Sequence, residues 1–181
     1  MSESSPPLKI LFVVNPQSGK TDIDWLQIIT DHFAEETATA EILELEKDCD
    51  PEVISKKIDE FKPQRVIAVG GDGTVKLVAE QILDKPEISL GILPAGSANG
   101  MAKELNIPVK PEDALKLCYD GVPQKIHLIK VNDEICIHLS DVGFNAFVIK
   151  MFESQEGRGM WGYVKASWKA LWQHDKLDVK I

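Results

Sequence analysis

An α/β fold is predicted: a Rossmann-like parallel sheet with helices on both faces, followed by the start of a β-rich second domain. Three observations predict it. Short, β-branched apolar runs alternate with stretches whose apolar residues recur at helical spacing, the pattern of strands joined by crossover helices. The first of these runs, Leu8 to Val14, is too uniformly apolar to have a wet face, as in strands covered on both sides. After Gly121 the alternation stops, and two short runs meet at Asn132-Asp133, a two-residue hairpin signal.

In chain order, Leu8 to Val14 reads as a central strand ending at Asn15-Pro16, and Asp22 to Glu36 as a helix burying Leu26, Ile29 and Phe33. Ala40 to Leu45 is a weaker strand, because glutamates interrupt Ile42, Leu43 and Leu45, and it belongs near an edge. Asp50-Pro51 opens the next helix as N-cap and first-turn proline, with Val53, Ile54, Ile58 and Phe61 inward. Arg65 to Val69 is a third strand, Thr74 to Leu83 a helix, and Ile88 to Leu93 a fourth strand stopped by Pro94. Ser97 to Leu105 and Pro111 to Tyr119 are helical; Ile126 to Val131 and Glu134 to Leu139 form the hairpin. Asn145 to Phe152 and Met160 to Gln173 read as helices, and Lys176 to Ile181 as a strand. A boundary near Pro123 divides a domain at 8–122 from a partial β-rich one at 123–181.

With 181 residues, 44% apolar and 27% charged, the chain is an ordinary globular one. It has no secretory signal and no membrane-spanning run. The net charge of -9 argues against nucleic acid as a partner, and the thirteen acids against four lysines in 21–62 account for the excess, most simply as a solvated face. Three cysteines without paired spacing, Cys49, Cys118 and Cys136, fit a reducing, cytoplasmic compartment. The four histidines have no ligand spacing. Trp161, Val164, Trp168, Leu171 and Trp172 share a helical face beside Lys165 and Lys169, which suits packing on a sheet or transient contact with a membrane surface. The β segments after Pro123 leave edges open to self-association, including a homodimer.

The chemistry gathers in three loops at strand ends. Gly70-Gly71-Asp72-Gly73-Thr74 lies between a buried run and a helix, where glycines clear backbone N–H groups for a ligand and the helix start favours anions. Phosphate is the natural guest. Asp72 would repel phosphate unless a metal ion or hydroxyl donor intervened, which leads us to expect Mg²⁺ nearby, although no set of metal ligands is identifiable. Asn15-Pro16-Gln17-Ser18-Gly19-Lys20 ends the first strand; Gly19-Lys20-Thr21 is not a P-loop, because Val14 stands where that motif needs its first glycine. Pro94-Ala95-Gly96-Ser97-Ala98-Asn99-Gly100 ends the fourth strand, and by itself reads as a helix start capped by Ser97. Three such loops at the carboxyl ends of three strands point to one shared crevice. Asp141 and Asn145, flanking Val142-Gly143-Phe144, read either as a turn or as a wall of that crevice.

Taken in order, these loops resemble the catalytic region of the diacylglycerol kinase and lipid kinase family, which includes sphingosine kinases and is more distantly related to NAD kinases. The hairpin and Asp141 to Asn145 are similar to the opening of its second domain. The resemblance implies transfer of the γ-phosphoryl of ATP to a lipid alcohol, with Mg²⁺, in a cleft between two domains, by a cytoplasmic, membrane-peripheral protein. It implies that Asn15, Ser18, Gly19, Gly70, Gly71, Gly73, Thr74 and Ser97 line the nucleotide site, with Asp72 the catalytic acid near the reacting phosphates or metal. Where the family continues its glycine loop with Asn-Glu, this chain has Lys76 and Leu77. The general base and metal ligands of the family lie in a part of the second domain that would follow Ile181, so the expectation is an incomplete module that binds nucleotide. Two alternatives are a NAD-kinase-like phosphotransferase, which shares the Gly-Gly-Asp-Gly loop, and a non-catalytic nucleotide-binding module.

Overall fold

Four strands pair into one parallel sheet of order β2-β1-β3-β4. The structure is a computed structural model that describes residues 7–18, 23–33, 38–131 and 134–137. The strands are β1 (Lys9–Val14), β2 (Thr39–Glu44), β3 (Arg65–Gly70) and β4 (Ser89–Pro94). Between and after them run α1 (Trp25–Phe33), α2 (Glu52–Phe61), α3 (Asp72–Ile82), α4 (Gly100–Glu104) and α5 (Pro111–Asp120). Among the described residues no helix is long and apolar enough to cross a membrane.

Alternation along the strands sorts their side chains onto two faces. Leu11, Val13, Val66, Ala68 and Ile92 pack beneath Ile54, Ile58, Val75, Val78 and Met101 of α2, α3 and α4. Ile10, Phe12, Val14, Ile67, Val69 and Leu93 face the other way, onto Trp25 and Ile29 of α1 and Ala114, Leu115 and Cys118 of α5. The chain moves from β1 outward to β2 and then reverses across β1 to reach β3. With one hand of crossover, that reversal places α1 and α2 on opposite faces.

Most sequence boundaries hold to within a few residues. The glutamate-interrupted strand is indeed at the sheet edge, and Lys57 of α2 reaches over to pair with Glu41 at 2.5 Å. Pro51, not Asp50, is the cap residue of α2, although the Asp50 carboxylate still accepts the Glu52 N–H at 3.0 Å. The helix expected from Ser97 begins only at Gly100, because Asn99 takes a left-handed conformation with φ 50°. The hairpin is shorter than its apolar runs: β5 (Ile129–Val131) pairs antiparallel with β6 (Glu134–Cys136), Ile129 opposite Cys136. Ile126 and Ile129 are exposed, so little burial rewards a longer ladder.

The hairpin rests on α3. Ile137 packs against the α3 side of the core, and Lys76 Nζ donates to Glu134 Oε2 at 2.6 Å. That hydrogen bond, with the ammonium charge, lowers the Glu134 carboxyl below its ordinary value, and the same bond raises Lys76. Lys76 thus spends its charge on the hairpin and on Glu80, while Leu77 joins the core. Gly19, Lys20, the Asn132-Asp133 turn, Asp141, Asn145 and the expected elements beyond Leu139 lie outside the described residues.

One buried thiol gives the fold a measurable pH response. Burial pushes Cys118 up to about 12 from 9.0, against opposing pulls from its contact with the Ile92 carbonyl and the charge of Arg65. Above pH 9.0 the unfolded chain loses this proton while the folded chain keeps it. The contribution is therefore complete below the ordinary thiol value and is lost as pH climbs toward the raised one, at about 1.4 kcal/mol per pH unit. Urea titrations from about pH 9 to about pH 10.5 are expected to show wild type losing stability faster than Cys118→Ala, and parallel slopes would refute this.

Candidate functional site

In an open parallel sheet, the carboxyl ends of two neighbouring strands whose connections leave in opposite directions form a crevice. Here those strands are β1 and β3. The loop after β1 carries Asn15 and Ser18, the loop after β3 carries Gly70 to Asp72, and β4 adds Ala95 to Asn99 alongside.

Asn15 organises the first loop with all its polar groups. Its backbone N–H donates to Val69 O at 3.0 Å, which ties it to β3. Its Oδ1 accepts the Gln17 N–H at 3.0 Å, and its carbonyl accepts the Ser18 N–H at 3.0 Å and the Ser18 hydroxyl at 2.6 Å. Its Nδ2 donates to Thr74 Oγ1 at 3.2 Å, joining the first loop to α3. Asn15 and Thr74 hold the two loops together, Ser18 closes the first loop on itself, and Thr74 is 4% exposed.

The glycines of the second loop divide by function. A Cβ on Gly70 would lie 2.3 Å from Thr74 Oγ1, and one on Gly96 would lie 2.4 Å from Gly71 Cα. Gly70 therefore lets α3 start close against β3, and Gly71 and Gly96 let two backbones touch. Gly73 is different: it is exposed, and a Cβ there would meet nothing within 4 Å. Gly71 is the cap residue of α3 without a side-chain bond, so the first-turn N–H groups of α3 receive no side-chain cap. That combination of open space, unpaired donors and a positive helix end suits an anion.

The third loop corrects one sequence expectation. Ser97 is exposed and does not cap a helix; Asn99 takes the cap position, and its side chain turns back onto Gly96. Its Oδ1 accepts the Gly96 N–H at 2.9 Å and its Nδ2 donates to Gly96 O at 2.7 Å. Sequence reasoning missed this role of Asn99, although an Asn three residues after a glycine, in a loop, is a signal for such a local closure. The first N–H groups of α4 are instead taken by Asp72, whose Oδ2 accepts from Gly100 and Oδ1 from Met101, each at 2.9 Å. Ala95 N–H donates to Gly70 O at 3.0 Å, completing the seam between the second and third loops.

Asn15, Ser18, Gly70, Gly71, Asp72, Gly73, Thr74 and Ser97 are therefore all placed on adjoining loops at one end of the sheet. Asp72 is the one acid on the described loops, and among the described residues no group of three His, Cys, Asp or Glu converges as a metal site.

Comparison with known proteins identifies the family of this fold. Residues 9–131 match the family model described as the diacylglycerol kinase catalytic domain. The chain is 35% identical over 96 residues to the Chromohalobacter salexigens protein named "Probable lipid kinase YegS-like", covering 51% of this chain and 31% of that one. A Serratia proteamaculans protein of the same name is 45% identical over 83 residues, 44% of this chain and 27% of its own. The chain thus spans about a third or less of the length of these relatives. Among solved structures, a diacylglycerol kinase from Bacillus anthracis shares the fold with a TM-score of 0.55 at 24% identity, over 73% of this chain and 49% of that one. Because the family model takes in the whole sheet, its three loops and the first strand of the hairpin, this chain belongs to the diacylglycerol kinase catalytic domain family.

Proposed function

We propose that residues 8–122 are the nucleotide-binding domain of an ATP-dependent lipid kinase and that residues 123–181 begin its second, β-rich domain. The observation that carries this reading is the cradle at the β1/β3 switch point, where three loops are tied together around the open start of α3. In this reading the first N–H groups of α3 receive phosphate oxygens of ATP over Gly73, and the Ser97 hydroxyl donates from the neighbouring loop. Asn15 and Thr74 fix the spacing between the loops. Positioning and charge stabilisation supply most of the catalysis in phosphoryl transfer, and a rigid cradle serves that end. In the transfer, a lipid hydroxyl oxygen bonds to the γ-phosphorus, the bond to the ADP oxygen breaks, and the hydroxyl proton passes to a general base.

The described residues do not build a Mg²⁺ cage, since both Asp72 oxygens are already hydrogen-bonded and no group of three His, Cys, Asp or Glu converges among those residues. Mg²⁺ enters this reading as the partner of the nucleotide phosphates. Calorimetry with ATP and Mg²⁺ is expected to give saturable binding, with amide shifts at Gly70 to Thr74 and at Ser97. Absence of both overturns the reading. NAD titrated in parallel, and a kinase assay offering NAD and diacylglycerol, are expected to favour ATP as ligand and the lipid as acceptor.

A further inference from the structure

A carboxylate at the start of a phosphate loop is electrostatically costly, and its partners explain what keeps it there. Asp72 is the first residue of α3, so it stands at that helix's positive end. Its side chain reaches across to the start of α4, where Gly100 and Met101 N–H groups donate at 2.9 Å, one to each oxygen. α4 has no cap of its own. The Asn99 side chain is occupied with Gly96, and no side-chain cap bond comes from within the turn. Asp72 therefore supplies, from 28 residues upstream, the acceptors that a five-residue helix lacks locally.

We infer that Asp72 is a positioning residue: its carboxylate clamps α4, and through α4 the Gly96–Asn99 loop, against the phosphate loop. The inference deepens the nucleotide-binding reading and rests on it for its consequence. The clamp has two effects. It holds Ser97, which precedes α4, at a fixed place beside the start of α3. It also spends the negative charge on backbone donors, so that the anion site beside it is not faced by a free carboxylate. The role is distinct from ligating a metal, and the two make different predictions.

Hydrogen exchange on the wild-type chain tests the clamp without any substitution. First-turn amides normally exchange fast, so slow exchange at both Gly100 and Met101 is expected, and fast exchange at both overturns the proposal. In Asp72→Ala both amides are expected to exchange about ten-fold faster or more, the loss appropriate to a hydrogen bond to a charged group. Asp72→Asn, which keeps one acceptor oxygen, is expected to lie between. ATP affinity should fall in Asp72→Ala by a similar factor with and without Mg²⁺, since the clamp acts on the protein. A loss confined to Mg²⁺-containing solutions, with Gly100 and Met101 still protected, would make Asp72 a metal-linked group and overturn the clamp. A wild-type chain that binds no ATP would remove the nucleotide reading, while the exchange rates would still decide for or against the clamp.

Discussion

Gly96→Ala is expected to lower both stability and ATP affinity, because the added carbon would sit 2.4 Å from Gly71 Cα and 2.9 Å from Asn99 Oδ1. The first neighbour is backbone and cannot swing aside. Separating the second and third loops is then the only relief, at a cost of about 1–3 kcal/mol by analogy with overpacked cores. The same movement would stretch the Ala95-to-Gly70 bond that seams the two loops. Gly73→Ala is the matched control. Its new methyl group meets nothing within 4 Å, so stability should stay level or rise by up to about 1 kcal/mol through helix propensity. ATP affinity should nevertheless fall, because the methyl group would occupy the space above the first turn. Urea melts and calorimetry on both variants check this, and equal affinity in Gly73→Ala and wild type would place the ligand elsewhere.

Phe12→Ala is expected to have the largest effect on folding. Phe12 is fully buried on the α1 and α5 face of the sheet, with its ring edge-on to Phe33 at 5.4 Å. Phe33 in turn meets Tyr119 at 5.9 Å, so the ring on β1 anchors both helices of that layer. Truncation should cost about 3–5 kcal/mol, a large share of an ordinary domain's stability of about 5–15 kcal/mol. The urea midpoint should drop accordingly, with the slope of the transition unchanged. A loss below about 1 kcal/mol would mean that the layer collapses around the gap.

Much of the scaffold is legible in the sequence because burial on two faces writes itself into composition. Ile10 to Val14 and Val66 to Val69 are apolar throughout, and both lie in interior strands. Glu41 and Glu44 mark the edge strand. The three loops are legible for a related reason: glycines, serines and asparagines at strand ends have few other uses. What is not legible is which loop residue holds which. Asp72 and Gly100, or Asn15 and Thr74, become neighbours only through the strand order, and that order depends on crossovers that leave no local trace. The same limit explains Ser97 and Asn99. Either can cap a helix by type, and the choice is made by a left-handed turn at Asn99 and by an acceptor arriving from α3. The hairpin fell short of its apolar runs because periodicity reports what could pair, whereas burial decides what does.

The two side chains that wire the loops together join residues 59 and 28 positions apart in the chain. Each link closes a long loop, whose entropic cost must be met before the bond forms. During folding, therefore, the cradle cannot be an early local structure; it exists only after β3 has found both β1 and β4. A ligand that fits the cradle selects for the completed sheet and withdraws it from the unfolding equilibrium. Nucleotide should accordingly act on this domain as a folding ligand, slowing its escape from the native state as well as occupying its site.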